Sequence, residues 1–192
     1  MGRALSQIKQ KIQIVVICED KTTAVFIRRY LEAIGYELRK VRFLTSPSGR
    51  GAGEAYVRVN YAIELAQYRK RNPAYWRLIV HVDADTGTIQ AHEEELAAVA
   101  IASGQPPRLP NEGIVHLIPK RNIETWIHSL LGNLADEVDD YKLLYKKQSE
   151  NSYCQPAATK LVESVRDTNF STDLPSLQSA VVELRTKLNG SR

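Results

Sequence analysis

Three short runs of apolar, largely β-branched residues stand out along the chain, at 12–18, 78–82 and 114–118. A continuous run of this length predicts a strand covered on both faces, as in a parallel sheet flanked by helices. A fourth run, 38–44, alternates Arg39, Lys40 and Arg42 with Leu38, Val41 and Phe43, which predicts a strand nearer a sheet edge. Between the runs the period lengthens to that of a helix. Thr22 or Thr23 can cap a helix reaching about Ala33, with an apolar stripe of Val25, Phe26, Tyr30, Leu31 and Ile34 and a stop at Gly35. Further helices are predicted over 54–71, 92–103 and 122–131. The repeated βα order implies an α/β fold with a mostly parallel four-stranded sheet and right-handed crossovers. After Gly132 the pattern changes. Residues 136–147 are charged, 149–156 read as a polar loop, and 159–166 and 174–188 read as two helices that cap the core or form a small lobe. The expected organisation is a lead-in over 1–11, an α/β unit over 12–131 and a helical C-terminal extension over 132–192.

The apolar runs end in charge. Residues 78–82 run into Asp83-Ala84-Asp85, 12–18 end in Glu19-Asp20, and 114–118 lead through Pro119-Lys120-Arg121 to Glu124. Ligands of parallel sheets sit just beyond the carboxyl ends of the strands, so three strand ends offer acids to one edge of one sheet. Close carboxylates repel one another by ~1–4 kcal/mol at about 4 Å and would repel a phosphate too. A bound divalent cation reverses that sign. Mg²⁺ or Mn²⁺ suits such oxygen ligands, and Mg²⁺ needs only one to three carboxylates because it keeps several waters. A solvated loop end or a helix cap is the plain alternative for any one acid, most of all for Asp20 and Asp85.

Composition narrows the partners. The chain has 192 residues, with 43% hydrophobic and 25% charged residues and a net charge of +4. That basic balance permits a polyanionic partner without requiring one. The basic groups Arg28-Arg29, Arg39/Lys40/Arg42, Arg69-Lys70-Arg71 and Lys142/Lys146/Lys147 can track a phosphate backbone, although such groups are more often solvated faces. Residues 46–53 form a Gly- and Ser-containing loop in which Arg50 is a candidate phosphate contact. It lacks the Lys-Ser/Thr ending of a P-loop. Two cysteines, Cys18 and Cys154, make no disulfide framework or metal motif, which fits a reducing cytoplasm. No run approaches membrane-spanning length, and Lys9 and Lys11 interrupt any signal peptide. His81 and His116 are expected as hydrogen-bonded core residues, and Trp76 and Trp126 as packing residues.

With Glu19 at the end of the first strand and Asp83-x-Asp85 at the end of a later one, the chain resembles the Toprim domain. That fold serves topoisomerases, bacterial primases, a 5S-RNA-maturing nuclease and the overcoming-lysogenization-defect nucleases. Residues 118–126, Ile-Pro-Lys-Arg-Asn-Ile-Glu-Thr-Trp, are similar to a P-x-R-x-x-E-x-W segment of small stand-alone Toprim proteins, many linked to phage defence. The resemblance covers roughly 12–131 and implies a Toprim-like, Rossmann-like fold and a metal-dependent nuclease acting on DNA or RNA. It implies Glu19, Asp83, Asp85 and Glu124 as metal ligands, with Glu19 also as general acid or base. Lys120 or Arg121 would stabilise phosphoryl charge, and the distribution of basic residues along the chain makes Arg50, Arg69, Lys70, Arg71, Lys120 and Arg121 the candidates to meet nucleic acid. A protein partner or a homo-oligomer is compatible with it. These 192 residues are not expected to hold a domain bearing a nucleophilic tyrosine or a zinc-binding partner domain, so strand passage and priming are not expected of them.

Two other readings use the same residues. A response-regulator-like receiver would be phosphorylated on Asp83 and use Lys120. Against it stand the long gap from Glu19 to Asp83 and the idle acids Asp85 and Glu124. A non-catalytic Toprim-like subunit of a larger assembly would keep the acids only by accident.

Overall fold

The computed structural model describes residues 11–47 and 53–188. In chain order the elements are β1 (Gln13–Cys18), α1 (Lys21–Ala33), a 3₁₀ turn (Leu38–Lys40), β2 (Val41–Thr45), α2 (Gly53–Arg69), β3 (Trp76–His81), α3 (Ile89–Ala102), β4 (Ile114–Leu117) and α4 (Ile123–Leu130). The extension adds a short α5 (Lys142–Tyr145), α6 (Glu150–Arg166) and α7 (Pro175–Glu183), which runs on into a π-helical turn (Leu184–Leu188). The four strands form one all-parallel sheet in the order β2-β1-β3-β4. The fold is the expected α/β architecture, a four-stranded parallel sheet flanked by helices with a helical C-terminal extension.

The strand order dictates where the helices go. The chain steps from β1 to β2 in one direction, then crosses back over β1 to β3 and on to β4. Right-handed crossovers in opposite directions lie on opposite faces. Accordingly α1 covers one face, against Ile14, Val16 and Ile79, while α2 and α3 cover the other, against Val15, Ile17, Leu78 and Val80. Alternate residues of one strand thus enter two different cores, which is why β1 and β3 read as unbroken apolar runs. The reversal makes the gap between β1 and β3 the topological switch point, where open α/β sheets form their ligand crevice.

The first face is completed by the extension. Leu161, Val165, Leu177 and Val181 join the same core as Phe26, Leu31 and Trp126, and Trp126 Nε1 donates to Ser176 Oγ at 2.7 Å. The extension therefore caps the core. The predicted loop at 149–156 is instead the first part of α6, with Pro156 inside the helix. Tyr153, Cys154, Ala157 and Ala158 are buried in the core shared with α1, and this packing outweighs the one hydrogen bond that proline removes. The predicted edge strand at 38–44 starts late, because Leu38–Lys40 make a 3₁₀ turn before β2. β2 is nevertheless an edge strand and only partly buried, as its basic alternation predicts. Among the described residues no helix is long and apolar enough to cross a membrane.

Candidate metal centre at the carboxyl edge

Parallel pairing aligns the strand ends. Ile17 is level with Val80, and Val80 with His116, so the residues after β1, β3 and β4 leave the sheet on one edge. Beyond the formal strands the chain keeps its register. Val82 N donates to Leu117 O at 3.3 Å, Ala84 N to Pro119 O at 2.9 Å, and Asp85 N to Arg121 O at 3.2 Å. Val82, Ala84 and Ile118 form a small apolar cluster beneath this ladder. Alternation then turns Asp83 to the other side.

Glu19 and Asp83 meet across the switch point. Glu19 Oε1 accepts from Asp83 N at 2.8 Å, and burial, then the nearby Asp83 charge, pushes the Glu19 carboxyl up to about 7. The Asp83 side chain is only 4% exposed. Burial raises its carboxyl to about 7, Lys142 opposes that rise, and Asp20 and Asp85 add to it. Glu124, in the first turn of α4, is also buried and raised to about 7, by burial and then by Asp20 and Asp83. Asn122 places it there as the α4 N-cap, its side chain accepting from Thr125 N.

Asp85 departs from the expected pairing. Its φ of +46° is left-handed, and the turn closes with Gly87 N donating to Ala84 O at 2.6 Å. A left-handed aspartate is tolerated but uncommon. The turn ends the alternation, so Asp83 is buried while Asp85 is exposed. Asp85 remains near enough for its charge to act on Asp83 and Lys142.

The oxygens suit a hard cation. Asp83 Oδ1 and Glu124 Oε2 are buried without a hydrogen-bond partner among the described residues. His81 Nε2 lies 3.5 Å from Asp83 Oδ1, but neither ring nitrogen of His81 makes a hydrogen bond, so the expected hydrogen-bonded core histidine is not found there. Burial holds its pKa down against the raising effect of the Glu19 and Asp20 charges. His116 does meet that expectation, with Nδ1 2.7 Å from Glu93 Oε2. Buried polar atoms left unpaired are costly, and a cation with its waters is the species that would satisfy carboxylate oxygens of this kind. The described side chains do not yet bring three of these ligand atoms within 4.8 Å of one another. Only Glu54, His92 and Glu95 do so, and Arg58 Nη2 already bridges that group, to Glu54 at 2.5 Å and to Glu95 at 2.7 Å.

The basic candidates divide by position. Lys120 Nζ donates to Gly87 O at 2.5 Å and so holds the 84–87 turn. Arg121 lies at the same edge, its Nε buried and without a hydrogen bond among the described residues. Arg50 lies outside the described residues. Arg69, Lys70 and Arg71 follow the far end of α2, at the opposite edge of the sheet. There Arg69 pairs with Glu112 at 2.7 Å and donates to Pro106 O, and Arg71 lies over the Trp76 ring. The fold therefore takes these three away from the acids: an antiparallel return helix carries its basic end to the amino edge.

Two residues join the site beyond the expected ligands and catalytic residues. Asp20 caps α1, accepting from Thr23 N at 2.8 Å, which is the plain alternative expected for this acid and takes the place of Thr22 or Thr23. Its charge also acts on Asp83 and Glu124. Lys142 Nζ is 3.4 Å from Asp83 Oδ2. Burial disfavours its charge, but Asp83, Glu124, Asp20 and Asp85 outweigh that and raise its pKa. Lys142 comes from a polar segment 59 residues away in sequence, with no local pattern to mark it. No family model matches the chain, and no curated protein or solved structure matches it either.

Proposed function

We propose that the protein is a metal-dependent nuclease of the Toprim type that hydrolyses phosphodiester bonds in nucleic acid. The observation that carries this reading is the meeting of Glu19 and Asp83 at the switch point, with Glu124 beside them and with Asp83 Oδ1 and Glu124 Oε2 lacking partners. Glu19, Asp83 and Glu124 would hold Mg²⁺ or Mn²⁺, and Asp85 would reach it through water or by turning inward. The cation would lower the pKa of a bound water and offset phosphoryl charge.

The chain's own residues supply the rest. Glu19, with a carboxyl near 7, suits moving a proton at the attacking water or the leaving oxygen. Water oxygen bonds to phosphorus, the bond from phosphorus to the leaving oxygen breaks, and that oxygen takes up a proton. Lys142 stands where an ammonium can face a phosphoryl oxygen. Lys120 contributes by fixing the turn that carries Asp85. Phosphorylation of Asp83 is less well supported, because that side chain is 4% exposed and Lys120 is turned to Gly87.

The test is an assay on DNA and RNA, single- and double-stranded, with Mg²⁺ or Mn²⁺. The parent chain should cleave at least one substrate, and Asp83→Asn and Asp85→Asn should not. Parent-level cleavage by both folded variants would remove the acids from the chemistry.

A further inference from the structure

We propose that the cleft between the start of α1 and the 142–150 segment seats one nucleic-acid strand, not an intact duplex, with Lys142, Lys146 and Lys21 facing its phosphates. The proposal rests on the hydrolase reading, since it names the substrate form for that site. The cleft has a volume of about 410 Å³ and shares Asp20, Glu124 and Lys142 with the acid centre. It lies near the low end of the ~300–1,000 Å³ of small-ligand clefts. That is room for about one nucleotide unit, and the acids it leads to are buried, so a phosphate reaches them by entering the cleft, which an unpaired strand does without opening a duplex.

Charge is sorted by depth. The acid end is buried, with Glu124 6% exposed. The lysines stand at the mouth, with the Lys21 side chain 76% and that of Lys142 42% exposed, and Lys146 exposed as well. Lys21 pairs with Glu150 at 2.9 Å, an exposed contact weak enough to give way to a phosphate. A cation-seeking floor under an ammonium-lined mouth is the order in which a backbone reaching a metal would meet the protein. Leu143, 76% exposed, lines the same cleft and offers an apolar surface to a sugar or base.

The lysine-bearing wall is fixed rather than loose. Asn122 Nδ2 donates to Asp140 Oδ1 at 3.0 Å, and that oxygen also accepts from Lys142 N at 2.9 Å. The Tyr141 ring stacks on His128 at 4.6 Å. Tyr145 OH lies 2.9 Å from His128 Nδ1, and its ring packs on Tyr153 at 4.6 Å. The same residue that caps α4, and so places Glu124, therefore also places the backbone of Lys142. Ammonium groups bind phosphate as point charges and read no sequence, so the cleft would select strand form over sequence.

The full chain in metal-free buffer, with EDTA, is titrated against labelled 20-nucleotide DNA and RNA strands, the matching blunt duplexes and a competing mononucleotide, read by fluorescence anisotropy. At least one strand should bind tenfold or more tighter than its duplex, and the mononucleotide should compete only weakly. Lys142→Ala/Lys146→Ala should weaken strand binding tenfold or more. It should also make the slope of log affinity against log salt shallower by roughly 1.4, about 0.7 per lost phosphate contact. Lys142→Arg/Lys146→Arg, which keeps the charges, should retain most of the affinity, and Lys70→Ala at the opposite edge should change nothing. Duplex binding equal to or tighter than strand binding, or undiminished affinity in the alanine variant, overturns the proposal. So does full competition by the mononucleotide at comparable affinity. Strand-preferring binding without cleavage in Mn²⁺ would overturn the hydrolase reading alone. Cleavage with no strand preference would overturn this one alone.

Discussion

Two groups of acids lie near the carboxyl edge, and they differ in what already answers their charge. Glu54, His92 and Glu95 bring their ligand atoms within 4.8 Å, the tighter geometry. Arg58 closes that group, and its carboxylates are 41% and 44% exposed. Glu19, Asp83 and Glu124 are spread wider, yet Asp83 and Glu124 are buried and Glu19 half-buried, all three are raised to about 7, and one half-exposed lysine faces Asp83. The proposed metal centre therefore rests on burial and unpaired oxygens and not on proximity. In a half-buried cluster whose two carboxylates share one arginine, part of the charge is already answered by a salt-bridge network of the kind worth little to stability. In the strand-end cluster Lys142 answers Asp83 Oδ2, while Asp83 Oδ1 and Glu124 Oε2 have no hydrogen-bond partner among the described residues.

The contrast predicts its largest effect in activity. Asp83→Asn should lower cleavage by about 10²–10⁴-fold, since metal stabilisation of the transition state is worth several kcal/mol at ~1.36 kcal/mol per tenfold. Glu95→Gln should leave the rate within about threefold. Initial rates on the same substrate check both, and equal losses would erase the distinction between the two groups.

The next effect is in pH and stability. Glu19, Asp83 and Glu124 have folded-state values near 7, above the ordinary carboxylate range of an unfolded chain. In that window the folded state binds more protons than the unfolded state, so these groups make the metal-free protein lose stability as pH rises from about 4 through about 7. Asp83→Asn removes one of them. Its melting temperature relative to the parent should rise between pH 5.5 and pH 8, at roughly 2–4 °C per kcal/mol for a chain of this size. Mn²⁺ should raise the parent's melting temperature more at pH 8 than at pH 5.5, because the ion must displace those protons. A pH-independent difference between variant and parent would contradict the buried placement of Asp83.

A smaller and more local effect concerns Gly53, the first residue of α2. A Cβ there would lie 2.9 Å from Glu19 Oε2 and 3.1 Å from Glu19 Cβ. Gly→Ala within a helix ordinarily stabilises by roughly 1 kcal/mol. Here Gly53→Ala should displace the Glu19 carboxylate, weakening Mn²⁺ binding and cleavage several-fold with little change in melting temperature. Parent-level Mn²⁺ affinity in that variant would mean that Glu19 is not held where the ion binds.

The sheet was legible in the sequence because its strands are buried on both faces, and an unbroken apolar run is what two covered faces require. The acids at the ends of β1, β3 and β4 were legible for the same reason, as charge where an apolar run stops. Pro156 concealed the start of α6, since the packing of Tyr153 and Cys154 in the core shared with α1, which helps keep that turn helical, leaves no local signal. Lys142 was legible only as one of several basic residues. Its approach to Asp83 depends on Asn122, His128 and Tyr145 holding its segment down, and such long-range contacts leave no periodic trace. The basic run at 69–71 misled in the opposite sense. Its charges are local, but the direction of α2 sends them to the wrong end of the sheet. The left-handed turn at Asp85 likewise separates two acids that simple alternation would pair.

The most direct test is the location of a bound ion, measured as Mn²⁺ binding at pH 7.5 by calorimetry or electron paramagnetic resonance on the parent, Asp83→Asn and Glu95→Gln chains. The strand-end acids should bind Mn²⁺ in the parent and in Glu95→Gln, and Asp83→Asn should lose that binding. Unchanged binding in Asp83→Asn, with loss in Glu95→Gln, would place the ion at the Arg58-bridged group and contradict the account.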